Sequence, residues 1–336
     1  MIPPMPRGRR VPLTGFLVAL IACAAGLCAC GSSTSTTTTS TPAVTPIAFL
    51  RYHTGVALAP KVVGVVSGGG WTEKTFTYRS VDGERVPALL TTPPHPAACI
   101  IYQGGIDQTK EQMPAVRVAL GKLRLATFTI DPRLTGARGS TAKVDAALAR
   151  PQTMLPLLMD TVADVRVGID WLERQRICDH QIAFLGTSFG ALIGVNVAAQ
   201  DSRIKAVVLT SIGATFEQAT LTSALAVASG ESTVPVQNPG AVTSTSEMRE
   251  LNTVLAPYQP SSVIGEISPR PVLIINGRYD PLVAPIDALE LAAAANTPKT
   301  VLYFDGGHDP FAKGPGLKHV LTTLGEFLIE NLNIPA

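Results

Sequence analysis

Gly186-Thr187-Ser188-Phe189-Gly190 decides how this chain is read. The five residues separate an apolar run, Ile182-Ala183-Phe184-Leu185, from Ala191-Leu192-Ile193-Gly194-Val195. The first run has the length of a strand and the second opens a helix, so the serine falls on a sharp strand-to-helix turn. Small residues flank such a turn because it brings backbone segments close together. A hydroxyl held there stands above the sheet, beside helix N–H groups that favour developing negative charge. The pattern therefore points to a serine nucleophile.

The flanking sequence repeats the theme of short apolar runs between helical patterns. Cys99 to Tyr102, Leu125 to Ile130, Ile182 to Leu185, Ala206 to Leu209, Val272 to Ile275 and Val301 to Phe304 lack alternation, as expected of parallel strands covered on both faces. Met113 to Leu123, Thr153 to Gln175, Ala191 to Ala199 and Pro285 to Ala295 read as helices. In the second of these, Leu157, Leu158, Val162, Val165, Ile169 and Leu172 form one stripe. Strands alternating with helices predict an α/β fold with a mostly parallel, twisted sheet. Ahead of them, Thr75 to Ser80 and Val86 to Leu90 around Asp82-Gly83 predict an antiparallel hairpin. Residues from about Ala43 to Gly70 show no clear period and read as an approach segment. The interval from Leu209 to Pro271 is too long for an ordinary connection; Phe216 to Ser229 and Ser246 to Leu255 look helical around a Pro/Gly-rich loop, Val234 to Gly240.

A serine hydroxyl is a weak nucleophile until a base takes its proton and a third group orients that base. Asp280 follows the Pro271–Ile275 run, and His308 follows the Val301–Phe304 run through Gly306-Gly307. Both therefore stand at C-terminal strand ends, on the same sheet edge as Ser188. His53, His95, His180 and His319 do not follow a late strand, and Asp305 and Asp309 are too near His308 in sequence to face its ring easily. Two backbone N–H groups should face the developing oxyanion. Phe189 supplies one by position, and the loop Gln103-Gly104-Gly105-Ile106 supplies the other, with Gly105 the first choice and Gly104 and Ile106 the fallbacks.

These motifs together resemble α/β-hydrolases of the dienelactone hydrolase and prolyl oligopeptidase-like group. The likeness runs from about Thr75 to the C-terminus. It is carried by Ser80-Val81-Asp82-Gly83, Asp164 to Leu172, the Gly186–Gly190 turn, Pro269 to Ile275 with Asp280, and Gly306-Gly307-His308. Gly104 to Glu111 also resembles a loop of some bacterial esterase-like members, including carbon–carbon bond hydrolases, and Gln103 departs from the His many relatives carry there. The resemblance implies an α/β-hydrolase fold with a small helical lid, about residues 214–262, over the catalytic face. It also makes Cys99 and Cys178 neighbours, which would permit a disulfide; two buried free thiols are the alternative. The activity expected is carboxylic ester hydrolysis through Ser188, His308 and Asp280. A thioesterase, an amidase or peptidase, an acyltransferase, a carbon–carbon hydrolase and a catalytically silent binding protein are the rivals.

The N-terminus adds a compartment. Arg7, Arg9 and Arg10 precede an apolar stretch from Val11 to Ala29, the pattern of an export signal over residues 1–29. A Ser/Thr tether, residues 30–45, follows, and the catalytic domain is expected over 46–336. A cysteine at this junction resembles the lipidation site of bacterial lipoproteins, with Cys30 preferred and Cys23 second. An uncleaved membrane anchor is the alternative. Either way the body lies outside the cytoplasm, where disulfides form. With 27 basic against 25 acidic residues and no basic cluster past the first ten, nucleic acid is not an expected partner. The expected ligand is a small-molecule or lipid ester, with no metal-spaced His/Cys cluster and no cofactor. Oligomeric state stays open.

Overall fold

The computed structural model describes residues 52–334 except 54, 56, 107, 134, 141, 144–150, 179, 216–252 and 254, and only the backbone of 151–154. All of these fall in the compact unit Val44–Ala336. The export signal with Cys23, the tether with Cys30, and most of the expected lid lie outside the described residues.

Nine strands form one sheet among the described residues: β1 (Lys61–Gly68), β2 (Trp71–Arg79), β3 (Arg85–Thr92), β4 (Ala98–Gln103), β5 (Leu125–Ile130), β6 (Ile182–Thr187), β7 (Ile204–Thr210), β8 (Val272–Gly277) and β9 (Lys299–Phe304). Their order is β1-β2-β3-β5-β4-β6-β7-β8-β9. β1, β2 and β3 pair antiparallel, β3 meets β5 antiparallel, and every pairing from β5 to β9 is parallel. The flanking helices are α1 (Pro114–Lys122), α2 (Pro151–Gln175), α3 (Phe189–Gln200), α4 (Pro285–Ala294) and α5 (Leu317–Asn331).

Alternate strand residues feed two cores. Ile101, Phe128, Phe184, Val207 and Ile274 join α2 and α3 on one face. Ile100, Leu125, Leu185, Val208 and Leu273 join α1 and α5 on the other. A strand buried on both sides has no polar face to show, which explains the unbroken apolar runs. α3 is buried almost throughout its length, against β6, β7 and α2. The first crossover, β4 to β5 through α1, covers one face; the next, β5 to β6 through α2, covers the other. Strand order thus reverses at β4, and the C-terminal ends beside that point are where α/β sheets place their ligands.

The segment read as an aperiodic approach contains β1, which corrects that reading for Lys61–Gly68. β1 is an edge strand exposed on both sides, with Val62, Val63, Val65 and Val66 all open to solvent. With neither face covered, no alternation marks it. Tyr52 of the same segment does lie on the domain: its Oη donates to Asp170 Oδ1 at 2.8 Å and accepts from Arg203 at 2.6 Å. The two ends of the long 214–262 interval meet. Ser261 donates through its N–H and its hydroxyl to the Ala214 carbonyl, at 3.0 and 2.9 Å.

Candidate active site

β6 ends at Thr187, and Ser188 turns the chain with φ 56° and ψ −119°, a conformation costing on the order of 1–3 kcal/mol for an L residue. The surroundings hold it there. Ser188 N–H donates to Thr210 O at 2.9 Å, and its carbonyl accepts the N–H of Ala191 and Leu192 as α3 begins. The glycines on either side answer to close approach. A Cβ on Gly186 would lie 2.4 Å from Gly190 O, and one on Gly190 would lie 2.1 Å from Gln103 O. The turn is pressed against the end of β4, which brings the loop after β4 to the serine.

Asp280 follows β8 with its carboxylate fully buried. Its Oδ1 accepts the N–H of Leu282 at 2.8 Å and of Val283 at 3.1 Å. His308 follows β9, and its Nδ1 meets Asp280 Oδ2 at 2.9 Å and Oδ1 at 3.0 Å. Its Nε2 meets Ser188 Oγ at 2.9 Å. An ionised carboxylate only accepts, so Nδ1 carries the proton and the Nε2 lone pair faces the serine hydroxyl. Ser188, His308 and Asp280 thus form one unbroken hydrogen-bonded chain across the ends of β6, β9 and β8. Asp305 instead pairs with Arg278 at 3.2 Å, and Asp309 caps Phe311 N–H at 2.9 Å. His180 stands exposed beside Glu173.

Two polar residues of this edge had no signal in the sequence. Ser211, at φ 57°, donates its hydroxyl to the His308 carbonyl. Asn276 accepts from Ile212 N–H at 2.9 Å and donates to Ile212 O at 3.0 Å, tying the exit of β7 to β8. Both bond to backbone far away in sequence, and only topology makes them neighbours.

Phe189 opens α3, so its N–H belongs to the first turn, whose amides have no partner inside the helix. Gly105 lies alongside Ser188: a Cβ on it would sit 3.9 Å from Ser188 Cβ. Its N–H, however, donates to Gln108 Oε1 at 3.2 Å. Tyr102, whose phenol burial pushes up to about 12, also donates to Gln108 Oε1, at 3.4 Å. The far end of the loop is fixed by Lys110, whose N–H and Nζ reach the two oxygens of buried Asp131 at 2.9 and 3.0 Å. At the other ends of these strands, Cys99 and Cys178 are joined in a disulfide. Among the described residues no group of three or more His, Cys, Asp or Glu could hold a metal ion.

A family model described as X-Pro dipeptidyl-peptidase (S15 family) matches residues 152–313, from α2 through His308. No curated protein matches the chain. Among solved structures, the acetyl xylan esterase from Paenibacillus sp. R4 superposes with a TM-score of 0.64 at 17% identity, over 83% of this chain and 90% of that one. Acetyl Xylan Esterase 1 from Thermoanaerobacterium sp. JW/SL YS485 gives 0.61 at 15% identity, over 84% and 90%. The α/β hydrolase GrgF from Penicillium sp. sh18 gives 0.58 at 17% identity, over 78% and 99%. At such identities the likeness is one of architecture, and with the strand order, the flanking helices and the N-terminal hairpin it establishes that this chain has the α/β-hydrolase fold.

Proposed function

We propose that the protein is a serine hydrolase of carboxylic esters. The hydrogen-bonded chain from Ser188 through His308 to Asp280 carries this reading. Ser188 Oγ gives its proton to His308 Nε2 and bonds to the ester carbonyl carbon, whose oxygen takes the negative charge. Phe189 N–H and an amide of the loop after β4 stabilise that oxyanion. When the carbon–oxygen bond to the alcohol breaks, His308 Nε2 returns the proton to the departing oxygen. Water, deprotonated by the same nitrogen, then attacks the acyl-enzyme and frees the acid and Ser188. Asp280 orients the imidazole and stabilises its charged form. The two acetyl xylan esterases among the solved structures favour an ester. Peptide or amide hydrolysis is the second reading, favoured by the S15 match across 152–313. Residues 214–262 would shape the acyl pocket as a lid. Export through residues 1–29 and lipid on Cys30 would hold the enzyme outside the cytoplasm at a membrane, as the Arg-led apolar segment and Ser/Thr tether suggest.

A fluorophosphonate probe tests the chemistry. The wild type should take one covalent label at Ser188, and Ser188→Ala none; a folded wild-type protein without the adduct would sink the hydrolase. In cells the labelled protein should fractionate with membranes and Cys30→Ala should not. A panel of p-nitrophenyl esters and peptide anilides then separates the two readings by kcat/KM.

A further inference from the structure

The Gly105 N–H is already committed, and how it is committed identifies the donor that replaces it. Gln108 and Gly105 are bonded twice. Gln108 N–H donates to Gly105 O at 3.0 Å, and Gly105 N–H donates to Gln108 Oε1 at 3.2 Å. The first bond closes a four-residue turn from Gly105 to Gln108. The second returns the side chain onto the turn's own first residue. Because Gly105 N–H can only donate, the atom it meets must be the amide oxygen, which fixes the orientation of the Gln108 carboxamide. That oxygen also receives the Tyr102 hydroxyl and rests on Gly104, where a Cβ would lie 1.9 Å from it. A glycine is therefore required at 104 to seat Gln108, while a Cβ at 105 would make only ordinary contact. Such a seat belongs to a permanent clasp.

In a turn closed between its first and fourth residues, the N–H of the second residue has no acceptor inside the turn. Here that residue is Ile106, and among the described residues nothing accepts its N–H. We infer that Ile106 N–H is the second oxyanion donor, and that Gln108, clasping Gly105, is the positioning residue that presents it. This rests on the serine hydrolase reading and moves the donor one residue along from Gly105.

Proline at the second position of such a turn suits the backbone, since Ile106 is not at positive φ, and it deletes the N–H. Ile106→Pro should therefore lower kcat on a p-nitrophenyl ester about 10²-fold with little change in KM, the loss expected for one oxyanion donor. Ile106→Ala, which keeps the N–H and removes only the side chain, should lose at least about tenfold less kcat than Ile106→Pro, since it spares the oxyanion donor. Gln108→Leu should also lower kcat at constant KM, and Tyr102→Phe should add nothing to Gln108→Leu, since both act through one oxygen. Wild-type kcat in Ile106→Pro, or equal losses in Ile106→Pro and Ile106→Ala, would overturn the assignment, as would a rise in kcat on Gln108→Leu. Fluorophosphonate labelling of Ser188 in every variant keeps this separate from the parent reading: no label in the wild type defeats both, whereas label with unchanged turnover in Ile106→Pro defeats only the donor. Circular dichroism and thermal midpoint report whether the proline variant folds; if it does not, Gln108→Leu at wild-type kcat overturns the clasp.

Discussion

Asp280 does more than touch His308, and that shapes what its replacement should do. Its Oδ1 is held by two backbone amides, Leu282 and Val283, while Oδ2 is the oxygen nearer His308 Nδ1. In Asp280→Asn the amide oxygen must stay with the two donors, so the NH2 group replaces Oδ2 and faces Nδ1. The imidazole then keeps its proton on Nε2 and cannot accept one from Ser188. We expect turnover to fall by about 10³–10⁴-fold with KM and thermal midpoint nearly unchanged, as for loss of the correct tautomer in other triads. Steady-state kinetics on a p-nitrophenyl ester checks this, and a loss under tenfold would show that Asp280 does not set the tautomer. Ser188, Asp280 and His308 were legible in sequence because each follows an apolar strand through a turn. Gln108 was not legible, because a glutamine three residues past Gly105 looks like any solvated loop residue. Its role comes from returning to Gly105, a contact that spacing alone does not announce.

Among the elements, the parallel strands β4 to β8 and the helices between them were readable because burial on both faces erases alternation and the crossovers restore helical periodicity; β9, at the sheet's edge, departs from the expected two-sided cover, with Lys299, Thr300 and Val301 exposed and Leu302 and Phe304 buried. β1 was not readable, since a strand covered on neither face carries no pattern. The neck of the 214–262 interval was hidden for a different reason: its anchor, Asp287, sits in the first turn of α4, far along the chain. Asp287 Oδ1 accepts the N–H of Ala214 at 2.8 Å and of Thr215 at 3.2 Å, while Oδ2 is buried without a partner among the described residues. Burial, against the pull of those two amides and with Glu290 adding to it, raises this carboxyl to about 6. The native state therefore keeps the proton where an unfolded carboxyl has lost it, so stability falls as pH rises from about 4 to 6. The span corresponds to roughly 3 kcal/mol at most. Urea unfolding at pH 4 and pH 7 should show Asp287→Asn less sensitive to pH than wild type. Equal pH dependence in the two proteins would show that Asp287 titrates normally.

For the whole molecule, the sheet separates the cross-link that stabilises from the residues proposed to react. Ser188, Asp280 and His308 stand past the C-terminal ends of β6, β8 and β9. Cys99 lies near the start of β4, and Cys178 precedes β6, four residues before Ile182 and on the opposite edge. Their disulfide spans 79 residues of sequence, enclosing α1, β5 and α2, so cutting it frees a long loop in the unfolded chain. In the chain-entropy model this amounts to about 4.5 kcal/mol. Both cysteines are buried, and Cys99 N–H still reaches Gln181 O at 2.9 Å without help from the sulfur. The backbone register between β4 and β6 should therefore survive removal of the bond. A Cys99→Ala/Cys178→Ala protein is expected to unfold at markedly lower denaturant yet to hydrolyse esters at wild-type kcat under conditions where it stays folded. Mass spectrometry of the unreduced wild type should find the two cysteine peptides linked. Free thiols at both positions would remove the cross-link, and a fall in kcat in the folded double variant would mean that strain at one edge of the sheet reaches Ser188, Asp280 and His308 at the other.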